Sequence, residues 1–289
     1  MRRRPFIVTR DGVGLWFREF GKGKPVLLLH SAFVSSRFWD FQVAHLSREG
    51  FRCITFDRRG HGRSDQPPEG YDYDTLADDV AAVIEALELR DLALVGHSMG
   101  CAEAIRYLTR HGSERIDRMA LLGTVTPYLQ HAADNLGGVP VAAAEEVRRC
   151  WRENFPQWVD DNIAPFLNPA TSPGMTKWAS QLVASASIPV ALACNETVMG
   201  SDLRQELPAV TVPCLIMHGG ADVSSPLSLT GERTAALIPK SRLKIYPDAP
   251  HGLVFTHMRE VNEELTQFLD EAKAGRELPR LTAPVAHYA

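Results

Sequence analysis

The chain has 289 residues, of which 45% are hydrophobic and 23% charged, with a formal net charge of −4. That length can bury a sizeable core as one large domain or two small ones, and the composition is that of an ordinary globular protein. The slight acidity gives no electrostatic reason for a nucleic-acid or anionic-membrane partner, and no apolar run nears the roughly 18 residues of a membrane span.

In chain order, Phe6 to Thr9 and Val13 to Phe20 flank Asp11-Gly12, a hairpin signal. Val26 to Leu29 is a solid apolar run that ends in His30-Ser31-Ala32-Phe33, a loop leading into a helical stretch through Leu46. Arg52 to Phe56 predicts a strand, followed by the glycine-rich Asp57-Arg58-Arg59-Gly60-His61-Gly62-Arg63-Ser64. Leu76 to Leu89 carries apolar residues at helical spacing, and Leu92 to Val95 and Met119 to Leu122 read as buried strands on either side of another helix. Such alternation implies a parallel sheet covered on both faces.

The rhythm breaks between about Pro127 and Pro208, where helical segments, six prolines and Trp151, Trp158 and Trp178 occur without a convincing strand. Strand and helix resume with Cys214 to His218, then a helix from Leu227 to Ile238, a strand at Leu243 to Tyr246 and a last helix from about Gly252 to Glu271. The expected division is a core in two parts, 1–126 and 209–274, a helical cap at 127–208 inserted between them, and a loose tail at 275–289.

The chain is organised around Leu92-Ala93-Leu94-Val95-Gly96-His97-Ser98-Met99-Gly100, an apolar strand running into G-x-S-x-G and then a helical pattern. This is the form of a nucleophile elbow. Glycine is needed at both outer positions because a serine held on so sharp a turn tolerates no crowding side chains. Ser98 is the candidate nucleophile. Cys101 is a rival, but its place inside the helix reads as a buried neutral thiol.

A serine hydroxyl needs a base, and the base needs an acid to fix its tautomer. In elbow hydrolases the order along the chain is serine, acid, histidine. His251, between the last apolar strand and the last helix, is the candidate base; His30, His61 and His218 come too early, and His257 and His287 fall in a helix and in the tail. Asp222, after the strand end Met217-His218-Gly219-Gly220, is the candidate acid, with Asp248 as rival and Asp117 and Asp134 as outside choices. The oxyanion hole would use the amides of Met99 and Ala32. Phe33 and the tryptophans Trp151, Trp158 and Trp178 are candidate pocket residues. No metal-binding spacing, G-x-G-x-x-G or P-loop lysine is present, so neither a metal nor a cofactor is expected. The loop at Arg59 to Arg63 reads as held by Arg and Asp pairs rather than as a phosphate cradle.

Five scattered cysteines without C-x-x-C spacing fit reduced thiols, and the N-terminus, with the short basic cluster Met1-Arg2-Arg3-Arg4, lacks the apolar core of an export signal. A cytoplasmic location is the resulting expectation.

The elbow, Asp222 and His251 together resemble the α/β-hydrolase superfamily from about Phe6 to Leu269. Asp57-Arg58-Arg59-Gly60-His61-Gly62-Arg63-Ser64 with Gly70-Tyr71-Asp72-Tyr73-Asp74-Thr75-Leu76 is similar to the cofactor-free bacterial haloperoxidase and arylesterase group. That resemblance implies an eight-stranded, mostly parallel sheet with helices on both faces and an inserted helical cap, and a small ester as substrate. Ser31, where the group usually has glycine, resembles enol-lactone hydrolases and keeps lactones among the substrates. The expected function is a serine-dependent hydrolase of small carboxylic esters or lactones. Perhydrolase or haloperoxidase chemistry, another natural-product tailoring reaction on the same residues, and a hydrolase-like ligand sensor stand as rivals.

Overall fold

A computed structural model describes residues 5–274; the Met1–Arg4 cluster and the expected tail at 275–289, with His287, lie outside the described residues. The chain runs through β1 (Phe6–Val8), β2 (Gly14–Phe20), β3 (Lys24–Leu29), a 3-10 turn and α1 (Asp40–Leu46), β4 (Phe51–Phe56), α2 (Tyr73–Ala86), β5 (Leu92–His97), α3 (Met99–His111) and β6 (Ile116–Leu122). Three helices follow, α4 (Val141–Phe166), α5 (Pro173–Ala184) and α6 (Ile188–Gly200). The chain then returns through β7 (Cys214–Gly219), α7 (Gly231–Leu237), β8 (Ser241–Tyr246), α8 (Leu253–Thr256) and α9 (Met258–Ala274).

The strands form one eight-stranded sheet in the order β1-β2-β4-β3-β5-β6-β7-β8. The opening hairpin is antiparallel and joins β4 antiparallel, whereas every pair from β4 to β8 is parallel. Gly12, at φ +87°, supplies the left-handed turn of the hairpin.

Because successive strand residues face opposite ways, each apolar strand feeds two cores. Leu27, Leu29, Leu94, Leu121 and Ile216 pack under α2 and α3, and Val26, Leu28, Val95, Leu122 and Met217 pack under α1 and α9. Burial of a large aliphatic side chain is worth about 1.5–3 kcal/mol, so this double covering is what fixes the register of the central strands.

Local chemistry explains the element ends. Asp72 caps α2 by accepting from the Thr75 amide at 2.9 Å. The long helix α4 is two segments merged across Asn154, whose φ −157° and ψ 73° are not helical. Pro156 lacks the N–H needed to continue a helix, and the Asn154 side chain accepts from the Gln157 amide at 3.2 Å to start the second segment.

Two expectations need correction. The last helix is not continuous, because His257 interrupts it at φ −119° and ψ 35° between α8 and α9. The helix expected from Leu227 begins only at Gly231, since the preceding residues form turns that bond back to Pro226.

Among the described residues no single helix is long and apolar enough to cross a membrane.

Candidate active site

In the parallel part of the sheet all strands end at the same edge, so the loops after β3, β5, β7 and β8 converge there. The apolar run of β5 breaks into the elbow at that edge. Ser98 takes φ +54° and ψ −118°, a conformation that non-glycine residues rarely adopt. The flanking glycines are obligatory: a Cβ on Gly96 would lie 2.5 Å from the Gly100 carbonyl oxygen, and one on Gly100 only 2.4 Å from that of Leu29. The Ser98 amide donates to the Leu122 carbonyl at 3.0 Å, tying the turn to β6.

The loop after β7 carries Asp222. Its Oδ1 accepts the amides of Ser224 and Ser225 at 2.9 and 2.8 Å, and its Oδ2 accepts Nδ1–H of His251 at 2.7 Å. His218 Nε2, which donates to the Ser225 carbonyl at 2.8 Å, lies 3.4 Å from the same Oδ2. Burial works against the charged carboxylate, but the His251 ring and these donors outweigh it and hold Asp222 well below the usual carboxylate range. Asp222 is thus an acceptor, which puts a proton on His251 Nδ1 and leaves Nε2 as the ring nitrogen turned away from the carboxylate.

Gly219 and Gly220 let the acid loop lie against the histidine loop, with the Ala221 amide donating to the Ala249 carbonyl at 3.1 Å. His97, inside the elbow, donates from Nε2 to the His251 carbonyl at 2.9 Å. Its own ring is pulled down to about 3 by burial and the neighbouring His251, so it stays neutral. Gly123, at φ +51°, passes under both rings.

Ser98 and His251 open on one cavity of about 420 Å³ roofed by α4 and α6. Among the described residues no hydrogen bond joins the Ser98 hydroxyl to the imidazole. Ala32, Phe33, Trp151 and Trp158 line the cavity, and Phe33 packs edge-on against Trp151 at 5.1 Å. The Met99 side chain is buried beneath, and its amide opens α3. The expectation for Trp178 is corrected: it packs against Phe41 and Phe255 at 5.5 Å from each, away from the lining.

The rivals are engaged elsewhere. Asp117 pairs with Lys24 at 2.6 Å and Arg118 at 2.7 Å, Asp134 with Arg204 at 2.9 Å, and Asp248 is an exposed partner of His257 at 3.3 Å. The Cys101 thiol is buried, donates to the Leu122 carbonyl at 3.4 Å and is pushed well up by that burial. Arg59 grips Asp79 through two hydrogen bonds of 2.7 Å, the Arg–Asp pairing expected of its loop.

Other residues of the site escaped sequence reasoning. Phe166, Val159 and Asn195 line the cavity from the helices, where nothing in an irregular, proline-broken pattern marks which face looks inward. Asn195 accepts from Arg148 at 2.9 Å through Oδ1, which turns its NH₂ group away from that arginine.

Residues 24–185 match the family model described as the alpha/beta hydrolase fold. This chain belongs to that family. As an alpha/beta hydrolase it is 36% identical over 276 residues to a non-heme haloperoxidase of Rhodococcus erythropolis, covering 92% of this chain and 99% of that protein. It is also 32% identical to a bifunctional esterase/perhydrolase of Acinetobacter calcoaceticus, over 91% and 99% of the two chains. Among solved structures, an esterase from Exiguobacterium antarcticum superposes with a TM-score of 0.89 at 29% identity, covering 92% of this alpha/beta hydrolase and 98% of the esterase. A bromoperoxidase from Bacillus anthracis superposes with a TM-score of 0.86 at 34% identity, over 90% and 97%.

Proposed function

We propose that this alpha/beta hydrolase cleaves small carboxylic esters or lactones through an acyl-enzyme on Ser98. The observation that carries the reading is the short His251–Asp222 hydrogen bond beside a serine held at positive φ over the same cavity. In this mechanism Ser98 attacks the carbonyl carbon while His251 Nε2 accepts the hydroxyl proton. The tetrahedral oxyanion is met by the amides of Ala32 and Met99. Collapse expels the alcohol, to which His251 returns the proton, and a water activated by the same nitrogen then releases the acid. Asp222 stabilises the imidazolium that forms in each half. The helices α4 to α6 serve as a cap, and the cavity's size and mostly apolar walls suit a small acyl or aryl group.

A second reading is favoured by the names of the Rhodococcus and Acinetobacter relatives: hydrogen peroxide in place of water attacks the same acyl-enzyme and releases a peracid. It uses the same residues and no further cofactor.

The test is hydrolysis of a short-chain aryl ester by the wild type and Ser98→Ala, with mass spectrometry to locate a fluorophosphonate label. Turnover should fall by about 10⁴-fold or more and the label should sit on Ser98. Equal rates for the two proteins would sink the proposal.

A further inference from the structure

Behind the loop that follows β3 lies a buried ion pair to which the reading above assigns no part. Arg58 and Glu103 are each 1% exposed, and the Arg58 Nε donates to a Glu103 carboxylate oxygen. The rest of the guanidinium is spent on that loop: Nη2 donates to the His30 carbonyl at 2.6 Å and Nη1 to the Ser31 carbonyl at 3.2 Å. The Arg58 backbone amide donates to His30 Nε2 at 3.0 Å, so the His30 proton sits on Nδ1 and is given to the same Ser31 carbonyl at 2.7 Å. Two donors therefore hold one carbonyl oxygen from behind.

The consequence follows from peptide geometry. The bond between Ser31 and Ala32 is trans, and in a planar trans peptide the C=O and the following N–H point in opposite directions. Pulling the Ser31 oxygen toward Arg58 turns the Ala32 N–H the other way, and among the described residues that amide has no hydrogen-bond partner. Glu103 stands on α3, five residues beyond Ser98, in the helix that the Met99 amide opens. One guanidinium thus joins the two segments that would supply the two oxyanion donors.

We propose that Arg58 and Glu103 are positioning residues for the reaction: Arg58, anchored on the elbow helix through Glu103, clamps the Ser31 carbonyl and so aims the Ala32 amide at the oxyanion. This rests on the serine-hydrolase reading. The neighbouring pair Arg59–Asp79 supplies a built-in control. It is equally buried, at 2% side-chain exposure for each partner, but its hydrogen bonds run to Asp79 and Asp11 and none reaches residues 30 to 32.

The experiment compares Arg58→Lys, Glu103→Gln and Arg59→Lys with the wild type for aryl-ester kcat and KM, affinity for phenylboronic acid, and urea midpoint. Lysine keeps the charge but not the two-carbonyl fork, and glutamine keeps an acceptor without the charge. Removing an oxyanion donor outright costs about 10² to 10³ in kcat, so misaiming one should cost roughly 10- to 100-fold. In Arg58→Lys that loss should appear in kcat and in boronate affinity alike, because the boronate mimics the tetrahedral adduct, with KM within about twofold of the wild type. Glu103→Gln should lose less, in the same pattern. Arg59→Lys should lower the urea midpoint while leaving kcat and boronate affinity unchanged. Folded Arg58→Lys with wild-type kcat and boronate affinity overturns the proposal, as does an Arg59→Lys enzyme that loses kcat to the same extent. A wild type whose rate is matched by Ser98→Ala would instead overturn the serine-hydrolase reading.

Discussion

The backbone at Ser98 invites a stability measurement whose sign is unusual. At φ +54° and ψ −118° the residue has the backbone angles of the first central position of a type II′ turn, a conformation relaxed for glycine and strained for anything with a Cβ. Strain of this kind is worth about 1–3 kcal/mol. At an ordinary position alanine is more stable than glycine by about 0.4–1 kcal/mol, because glycine leaves the unfolded chain more freedom. Taking the second from the first leaves Ser98→Gly more stable than Ser98→Ala by about 1 kcal/mol, or about 2 °C in a chain of this size. Both variants lack the hydroxyl, so no change in activity or ligand binding confuses the comparison. Urea titration followed by circular dichroism reads the difference directly. If alanine proves as stable as glycine or more so, the elbow is not strained, and the fixing of Ser98 by Gly96, Gly100 and the Leu122 carbonyl has been misread.

Three further outcomes follow from the same geometry. A Cβ on Gly123 would lie 3.3 Å from His97 Nε2 and 3.4 Å from His251 Nδ1, at a φ of +51°; Gly123→Ala should displace the imidazole and lower kcat about tenfold, for a stability loss near 1 kcal/mol, and an unaltered kcat would contradict it. With Oδ1 of Asn195 held by Arg148, its NH₂ group is free to donate to substrate. Asn195→Leu should therefore reduce kcat/KM by up to about tenfold for acyl groups bearing a distal carbonyl or ether, and leave plain alkanoyl esters alone. Equal effects on both ester series would refute a donor role. Finally, burial pulls His30 well below its usual 6.5 and pulls His61 and His97 down to about 3. The unfolded chain then binds protons that the native state refuses, so stability is full above pH 6.5 and falls as pH drops below it, by up to about 1.4 kcal/mol per pH unit for each ring. Urea midpoints that hold level between pH 7.5 and 5 would count against three buried neutral rings.

What the sequence disclosed, it disclosed through local steric demand or through chain order. The elbow is legible because Gly96 and Gly100 answer a requirement contained within five residues. Asp222 and His251 are legible because parallel strands must all end at one edge, so residues after two apolar runs meet there. The double-faced core is legible from strands that are apolar throughout. Side-chain direction in the proline-broken helices is another matter. Trp151 and Trp158 face the cavity and Trp178 does not, and the difference arises from the break at Asn154 and from the packing of Trp178 on Phe41 and Phe255. The break at His257 is equally silent, since the apolar spacing of Leu253, Val254, Val261 and Leu265 continues across it. Nor does any spacing reveal that Arg58 and Glu103, 45 residues apart, share a hydrogen bond.

The elbow does more than present a hydroxyl. The residue before Ser98 holds the carbonyl of His251, and the residue five beyond it holds the arginine that grips the loop of Ala32. The loops of His251 and Ala32 are thereby referenced to the same strand-to-helix turn rather than to one another. Loops on separate strands would otherwise drift independently, and a misplacement near 1 Å is enough to lose about a hundredfold in rate. Neither His97 nor Glu103 needs to touch substrate for this. Burial without charge suits His97, because an imidazolium at that point would repel the imidazolium that the proposed mechanism forms at His251. In the proposed mechanism the short stretch from Gly96 to Glu103 therefore sets the spacing of nucleophile, base and oxyanion donors together, which is why the rest of the fold can be read outward from it.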